Sequence, residues 1–163
     1  MKNQQIAILI LIFFNLLGCI QPKKDKAFKT FNEGVSLSLV AGKLVEQGRD
    51  AEVKNIYDQA IKKFKETLVI DSSYHAAYSA IGFSSYEIRN YDEAIIYFEK
   101  AILVQPDFAL NYQFLGLSQI NKGNIEEGEK NINKAFELDK GEEIKSIDCT
   151  ISIADIYENI ELK

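Results

Sequence analysis

The chain has 163 residues and a formal net charge of -5, so its acidic balance gives it no electrostatic attraction to nucleic acid. Its hydrophobic content of 47% and its charged content of 26% are typical of a folded domain and exclude a disordered chain. With two prolines, no tryptophan and long stretches rich in Lys, Glu and Ile, the composition favours helices over strands.

An apolar run lies near the N-terminus, from Ile6 to Leu17, and follows a short polar segment that carries Lys2. A helix that spans a bilayer needs roughly 20 apolar residues, so this run is too short to be one. A charged start, a short apolar centre and a small residue, here Gly18, are the features of a secretory signal peptide. A buried N-terminal helix is the alternative, although only Asn15 interrupts the run and no face of it is polar.

The run ends in Leu16-Leu17-Gly18-Cys19, which resembles the lipobox of bacterial lipoproteins. The resemblance implies cleavage after Gly18 and attachment of a diacylglycerol thioether to Cys19, with palmitate as a suitable label. It predicts a signal peptide at 1–18 and a lipidated cysteine with a short tether at 19–26. Because a single acyl chain holds a protein only marginally at a membrane, durable anchoring requires two or three chains.

Cys149 is the other cysteine of the chain. Two cysteines in a secreted protein could form one disulfide, whereas lipidation of Cys19 leaves Cys149 without that partner. We interpret Cys149 as a small core residue and not as a reactive thiol.

Two segments of the chain repeat each other: YDQAIKKFKETLVID at 57–71 and YDEAIIYFEKAILVQ at 91–105. A third, weaker copy follows at the same interval. This interval, about 34 residues, is the signature of the tetratricopeptide repeat, a helix–turn–helix unit. The equivalent residues of the first two segments are Tyr57 and Tyr91, Ala60 and Ala94, and Phe64 and Phe98.

The middle copy, 75–108, resembles the tetratricopeptide pattern in both of its helices. Its matching residues are Tyr78, Ile81, Gly82, Ala94, Phe98, Ala101 and Pro106, with Ser85 as the one poor match. The third copy, 109–142, matches at Tyr112, Leu115, Gly116, Ile132 and Ala135. It departs at Gly128, where the family has alanine, and at Lys140, where it has proline. We expect both departures to loosen the second helix of this copy.

The first copy, 27–74, needs a different register. If Gln47-Gly48-Arg49 is its turn, matching Lys122-Gly123-Asn124, then seven extra residues precede Ala60, which is nearly two helical turns. Asp50 is then expected to cap a second helix that runs to about Ile70. The core positions of the first helix become Leu37, Val40, Ala41 and Leu44, and Phe28, Phe31 and Val35 lengthen it to match.

Together these copies predict an all-α fold, a short α-solenoid of about three helix–turn–helix units. We expect Gly82, Ala94 and Gly116 to lie where two helices cross closely. Each unit leaves an apolar face uncovered, so the units must stack. The remaining segment, 143–163, has the spacing of another first helix, and we interpret it as a capping helix at the end of the solenoid.

No catalytic constellation is present in the sequence. His75 is the single histidine and lies at the start of a first helix, where a solvated side chain is far more common than a base. One histidine and one free cysteine cannot make the usual zinc sites, and no phosphate-binding glycine loop occurs. Glu126, Glu127 and Glu129 lie at a helix start, where negative charge favours the helix dipole. We therefore expect no enzyme activity, no metal and no cofactor.

In the tetratricopeptide family the first helices line a concave groove, at places two, five, nine, twelve and thirteen of each repeat. The resemblance implies a groove that is short of cations, unlike members that hold a peptide carboxylate with Lys and Asn. Its apolar residues suit an amphipathic helix or an extended apolar segment. Alternatively, they pack on neighbouring helices or under the capping helix. The candidate groove residues are Val35, Ser38, Gly42, Val45, Glu46, Ala76, Ser79, Phe83, Tyr86, Glu87, Leu110, Gln113, Leu117, Ile120 and Asn121.

These features lead to the hypothesis of a lipid-anchored adaptor that binds another protein in the bacterial cell envelope, without a small-molecule substrate. Its site would be the outer membrane or the outer face of the inner membrane. One alternative is an accessory subunit of an outer-membrane assembly machine, for β-barrel insertion or for secretin and pilus assembly, a resemblance of architecture only. Another is a surface lipoprotein with no specific partner. A lipoprotein hydrolase is disfavoured because no nucleophile–base pair is found.

Overall fold

A computed structural model describes the backbone of residues 2–139 and the side chains of residues 22–139. Met1 and residues 140–163 lie outside the described residues. Three sequence predictions therefore lie outside the described residues, namely the capping helix at 143–163, the role of Cys149 and the departure at Lys140. The same holds for the side chains of the predicted signal peptide and of Cys19.

The described part of the chain forms six α-helices and no strand, which confirms the predicted all-α solenoid. Each second helix of a pair begins with acidic residues in its first turn, where carboxylates interact favourably with the helix dipole. The helices are α1 (Lys2–Glu46), α2 (Asp50–Ile70), α3 (Ala76–Glu87), α4 (Tyr91–Val104), α5 (Ala109–Asn121) and α6 (Ile125–Asp139).

The turn inside each helical pair contains one residue in the left-handed region, at the same place of all three units. Gly48 has φ +69°, Arg89 has φ 59° and Gly123 has φ +89°. Glycine reaches this region without the steric cost that a side chain adds. The predicted turn at 47–49 is thus present, although Asp50 is the first residue of α2 and does not cap it. Arg49 holds the cap position and donates hydrogen bonds of 2.7 and 2.8 Å to the Glu52 carboxylate.

The helices pack as three antiparallel hairpins, α1–α2, α3–α4 and α5–α6, and adjacent hairpins meet through α2–α3 and α4–α5. The backbones of α1 and α3, and of α3 and α5, also come within 8 Å of each other, whereas α2, α4 and α6 do not approach one another in this way. The first helices therefore lie on the inner side of the curve and the second helices on the outer side.

The interval 19–26, predicted to be the tether, continues α1, and its residues 22–26 are all exposed. Pro22 lies inside the helix. Among the residues with described side chains, none of the helices combines the length and the hydropathy that a membrane span requires.

The core consists of the large aromatic residues of the second helices, which pack on small residues of the first helices. Phe64 and Phe98 are almost completely buried. A Cβ atom on Gly82 would lie 2.8 Å from Phe98 Cε1, so glycine allows the close crossing expected there. Ala94 of α4, which was also expected where two helices cross closely, is fully buried.

The first hairpin corrects the predicted register. A Cβ on Gly34 would lie 2.5 Å from Phe64 Cε1, so Gly34 does for Phe64 what Gly82 does for Phe98. Phe64 follows Gly34 by thirty positions, whereas Phe98 follows Gly82 by only sixteen, so the first hairpin is longer by twice seven positions. Both of its helices are thus extended by seven residues. The assignment of Ala41 to the crossing place is wrong, and Val40, expected in the core, is 47% exposed.

The third hairpin corrects the expectation for Gly128. A Cβ on Gly128 would lie 2.5 Å from Ile120 Cγ1 and 2.7 Å from the Gly116 carbonyl oxygen. A Cβ on Gly116 would likewise lie 2.5 Å from the Gly128 carbonyl oxygen. The backbones of α5 and α6 touch at this point, so Gly128 permits a close approach and does not loosen the hairpin.

Candidate partner-binding surface

The candidate groove residues lie on the first helices, which form the inner side of the solenoid. On α3, Ala76 and Glu87 are exposed at the two ends, and Ser79, Phe83 and Tyr86 between them are half-buried. The periodicity of three and four residues keeps this set on one face of the helix. The structure therefore brings the α3 residues together as a continuous strip.

An aromatic cluster joins this strip to the next repeat. The ring centroid of Phe114, on α5, lies 4.5 Å from that of Phe83 and 5.2 Å from that of Tyr86, both in edge-to-face geometry. Phe83 also packs edge-to-face on the buried Phe98, at 5.2 Å. Such pairs contribute about 0.5–1.5 kcal/mol beyond the area they bury. We call Phe83, Tyr86 and Phe114, all half-buried, the aromatic ridge.

The ridge shows that both interpretations of the apolar strip hold in part, because Phe83 and Tyr86 pack on a neighbouring first helix and keep part of their surface accessible. Phe114 was missed because it occupies the sixth place of its repeat, outside the five places taken from the family. The spacing of Leu110, Phe114 and Leu117, four and three residues apart, is the signal that could have identified it.

The rest of α5 divides between surface and core. Leu110, Gln113 and Leu117 are half-buried and Asn121 is exposed, in agreement with a surface role. Ile120 is only 8% exposed because it fills the space beside Gly128. Ile120 is therefore a core residue of the third hairpin, and its assignment to the groove is corrected.

On α1, three of the candidate residues are half-buried, namely Val35, Ser38 and Gly42. Val45 and Glu46 are exposed at the end of the helix, in the part that extends past the length of an ordinary repeat. Leu39, four residues after Val35, is 64% exposed and was not among the candidates.

The charged groups of this surface are carboxylates. Glu87 is exposed by surface area, yet the groups around it remove part of its hydration and raise its pKa above the usual value. Burial also raises the pKa of Tyr86, with smaller contributions from Tyr91 and Glu87, and raises that of Tyr57, where Glu87 again adds to the effect. The Glu87 carboxylate thus acts electrostatically on the phenol groups of Tyr57 and Tyr86. A cation brought by a partner would compensate for its lost hydration.

The described part of the chain offers little support for metal binding or acid–base catalysis. Between residues 22 and 139, no three His, Cys, Asp or Glu side chains come together as a metal site would require. His75 is exposed and occupies the position directly before α3. Glu126 and Glu127 lie in the first turn of α6, as expected for residues that interact with the helix dipole.

Comparison with protein families finds two tetratricopeptide repeats, at residues 75–108 and 109–142. These are the boundaries that the sequence predicts for the second and third units. The described helices α3–α4 and α5–α6 lie inside them. The comparison with curated proteins finds no match.

Solved structures with a similar fold include the second TPR of Spaghetti (RPAP3) bound to the HSP90 peptide SRMEEVD, with a TM-score of 0.52 and 16% identity over 69% of this chain and 98% of that one. The Yersinia enterocolitica type III secretion translocator chaperone SycD gives a TM-score of 0.58 and 19% identity, and covers 80% and 93% of the two chains. MamA gives 0.50 and 23% identity over 70% of this chain and 60% of that one. At these identities the likeness shows the fold.

Proposed function

We propose that this protein is a lipid-anchored adaptor of the bacterial cell envelope that binds another protein on the concave side of its repeats. The observation that carries the proposal is the aromatic ridge, which stays half-exposed on the inner side next to the partly desolvated Glu87. The tetratricopeptide repeats support the same class of function, because the similar Spaghetti repeat is bound to a peptide and SycD is a translocator chaperone.

The chemistry of the ridge favours a partner segment with apolar side chains and a basic residue. Aromatic side chains offer large apolar area at a low cost in conformational entropy, which suits recognition of an amphipathic helix. The charged groups among the candidate groove residues are Glu46 and Glu87. An acidic peptide such as the SRMEEVD bound by Spaghetti would meet repulsion on this surface.

Site-specific photocrosslinking tests this binding surface without disturbing the core. Benzoylphenylalanine at the exposed residues Ala76 and Asn121 places a photoreactive group on the inner side, and at the exposed Glu99 and Lys130 it places one on the second helices. We expect the same partner to crosslink in native membranes from both inner positions and from neither outer one. Equal crosslinking from the two sides, or none from the inner side, would contradict the proposal.

The anchor is supported by the lipobox at 16–19, which follows a short apolar run. Metabolic labelling with radioactive palmitate should mark the wild-type chain, and Cys19→Ser should abolish the label. A chain that labels equally with and without Cys19 would end the anchor proposal while leaving the crosslinking result valid.

A further inference from the structure

The part of α1 at residues 22–29 differs in charge from the rest of the chain whose side chains are described. Residues 22–29 contain four lysines and one acidic residue, whereas residues 30–139 contain eleven basic and seventeen acidic residues. Lys23, Lys24, Lys26 and Lys29 are all exposed. The four lysines follow the proposed lipid-attachment residue by four to ten positions, so they lie at the end of the solenoid nearest the anchor.

An open cleft of about 730 Å³ lies beside these lysines and is lined by residues of α1, α2 and α4. Lys26 and Thr30 line it from α1, and Lys62, Lys65 and Val69 line it from α2. The Lys65 ammonium is already 2.6 Å from the Glu93 carboxylate. Lys26 and Lys62 make no ion pair with a described residue, so their charge remains available to a ligand.

The acidic residues of the cleft are each paired with another lysine. Asp58 lies 2.7 Å from Lys54, and Glu66 lies 3.5 Å from Lys63. Glu93 is the partner of Lys65. The ion pairs of these carboxylates are thus with Lys54, Lys63 and Lys65, and not with Lys26 or Lys62. Asp71, directly after α2, offsets part of the charge of Lys23 and Lys24. Hydrogen bonds from Ser73 are the main cause of the lowered pKa of the Asp71 carboxyl, and the two lysines lower it further.

Exposed aliphatic residues accompany the lysines on the same edge. Val69 is 87% exposed at the end of α2, and Leu103, at the equivalent place of the next repeat near the end of α4, is 82% exposed. Because the helices of each hairpin are antiparallel, the ends of α2 and α4 lie at the same edge as residues 22–29 of α1. The equivalent residue of the third unit is Glu137, so this position is apolar only in the two units nearest the proposed anchor.

We infer that this edge docks on a membrane surface, with Lys23, Lys24, Lys26 and Lys62 against anionic lipid headgroups and Val69 and Leu103 in the interfacial layer. The inference rests on the proposed lipid anchor, which supplies the location. Basic residues next to a membrane attract anionic lipids, and an acyl chain together with a basic patch anchors more firmly than either alone. Docking would hold the concave surface in a defined orientation above the bilayer.

The test uses the full chain reconstituted in vesicles of phosphatidylcholine, with or without phosphatidylglycerol, and measures the acetylation rate of each lysine by mass spectrometry. We expect Lys26 and Lys62 to react about fivefold more slowly on the anionic vesicles. The negative surface attracts each lysine, and an ammonium group held against the headgroups is less accessible to the reagent. Lys43, near the opposite end of α1, should react at the same rate on both. High salt should remove the difference.

The outcomes separate this inference from the anchor. If the chain floats with both kinds of vesicle but Lys26 and Lys62 react equally on both, the edge does not dock and the anchor stands. If the chain floats only with anionic vesicles, the basic edge binds without an acyl anchor. If it floats with neither, both proposals fail.

Matched variants test which lysines are responsible. Lys26→Glu combined with Lys62→Glu should abolish the protection of Lys23 and Lys24. Lys43→Glu combined with Lys130→Glu changes the net charge by the same amount and should preserve the protection of Lys23 and Lys24. Equal loss in both double variants would show that net charge alone is acting and would overturn the inference.

Discussion

Gly116 and Gly128 determine how closely the two helices of the third hairpin approach. At each residue an added Cβ would come within 2.7 Å of a backbone oxygen on the other helix, and a backbone atom cannot move aside as a flexible side chain can. Glycine in a helix interior costs about 1 kcal/mol relative to alanine when no contact decides the matter. Here the contact decides it, because alanine would force the helices apart.

We expect Gly128→Ala to lower the free energy of unfolding by about 1–3 kcal/mol, as overpacking of a tight core does. The control is Gly42→Ala in α1, where a Cβ would meet nothing within 4 Å and should add about 1 kcal/mol through helix propensity alone. Urea unfolding of both variants measures the effect. A stabilising Gly128→Ala would favour the view that this glycine loosens α6.

Asn111 marks a weaker point in the stacking of the second and third units. It is fully buried, and neither the nitrogen nor the oxygen of its amide has a hydrogen-bond partner among the described residues. The equivalent residue of the preceding unit is Ala77, which is also fully buried and carries no polar group. A buried amide without a partner costs about 1–3 kcal/mol by mutational measures. Asn111 therefore contributes less to the stability of this packing than an apolar residue of similar size would.

The long first hairpin is an ordinary unit with seven residues added to each helix. Seven residues turn a helix by nearly two turns, so the residues on either side of the addition keep their facing. The added parts form a second cluster with Tyr57, separate from the one around Phe64, and Ile88 of the next unit packs against it as well. The buried members of this second cluster are Ala41, Leu44, Val53 and Tyr57.

Removal of both additions should cost less stability than removal of one. Deletion of 38–44 together with 50–56 removes Ala41, Leu44 and Val53, leaves Tyr57 at the place of Tyr91, and keeps Gly34 opposite Phe64. The lost apolar burial and the regained chain entropy of the deleted segments then largely offset each other. Deletion of 38–44 alone leaves Val53 and Tyr57 without their partners. We expect the single deletion to show the lower melting temperature by circular dichroism; the reverse order would contradict the proposed register.

Over the described residues of the whole molecule, each hairpin contacts only its neighbours, and the first and third hairpins do not touch. Ion pairs across the repeats, Lys65 with Glu93 and Lys122 with Asp92, follow the same order. Exposed pairs of this kind contribute about 0.2–1 kcal/mol, so apolar stacking supplies most of the cohesion between units. Stability is then a sum of hairpins and the interfaces between them.

The effects of mutations in the first and third hairpins on stability should therefore be additive. Ile61→Val and Ile132→Val each remove one buried methyl group, at a cost of about 0.5–1.5 kcal/mol. Because the two sites share no contact, the double variant should match the sum within about 0.5 kcal/mol in urea unfolding. Phe83→Leu and Phe114→Leu, whose rings touch, serve as the control and should deviate from additivity. Coupling between Ile61 and Ile132 as strong as that between Phe83 and Phe114 would contradict a solenoid in which each hairpin acts only on its neighbours.

The amino-acid sequence by itself determined the all-α class, the tetratricopeptide period, the boundaries at 75 and 109 and the turn at 47–49. These follow from local spacing, because small, aromatic and turn-forming residues recur at fixed intervals within each unit. The placement of Phe83, Tyr86 and Leu117 on the accessible inner side also follows from helical periodicity. The sequence also contains Leu16-Leu17-Gly18-Cys19, whose resemblance to a lipobox is a prediction that the labelling experiment tests.

Tertiary structure alone decided which residues meet across the hairpins. Gly34 and not Ala41 faces Phe64, Ile120 is buried beside Gly128, and Phe114 completes the ridge on the inner side. Each of these facts depends on the distance between two helices and on where they cross. Apolar periodicity identifies the buried face of one helix, but it contains no information on which residue of the next helix will lie opposite.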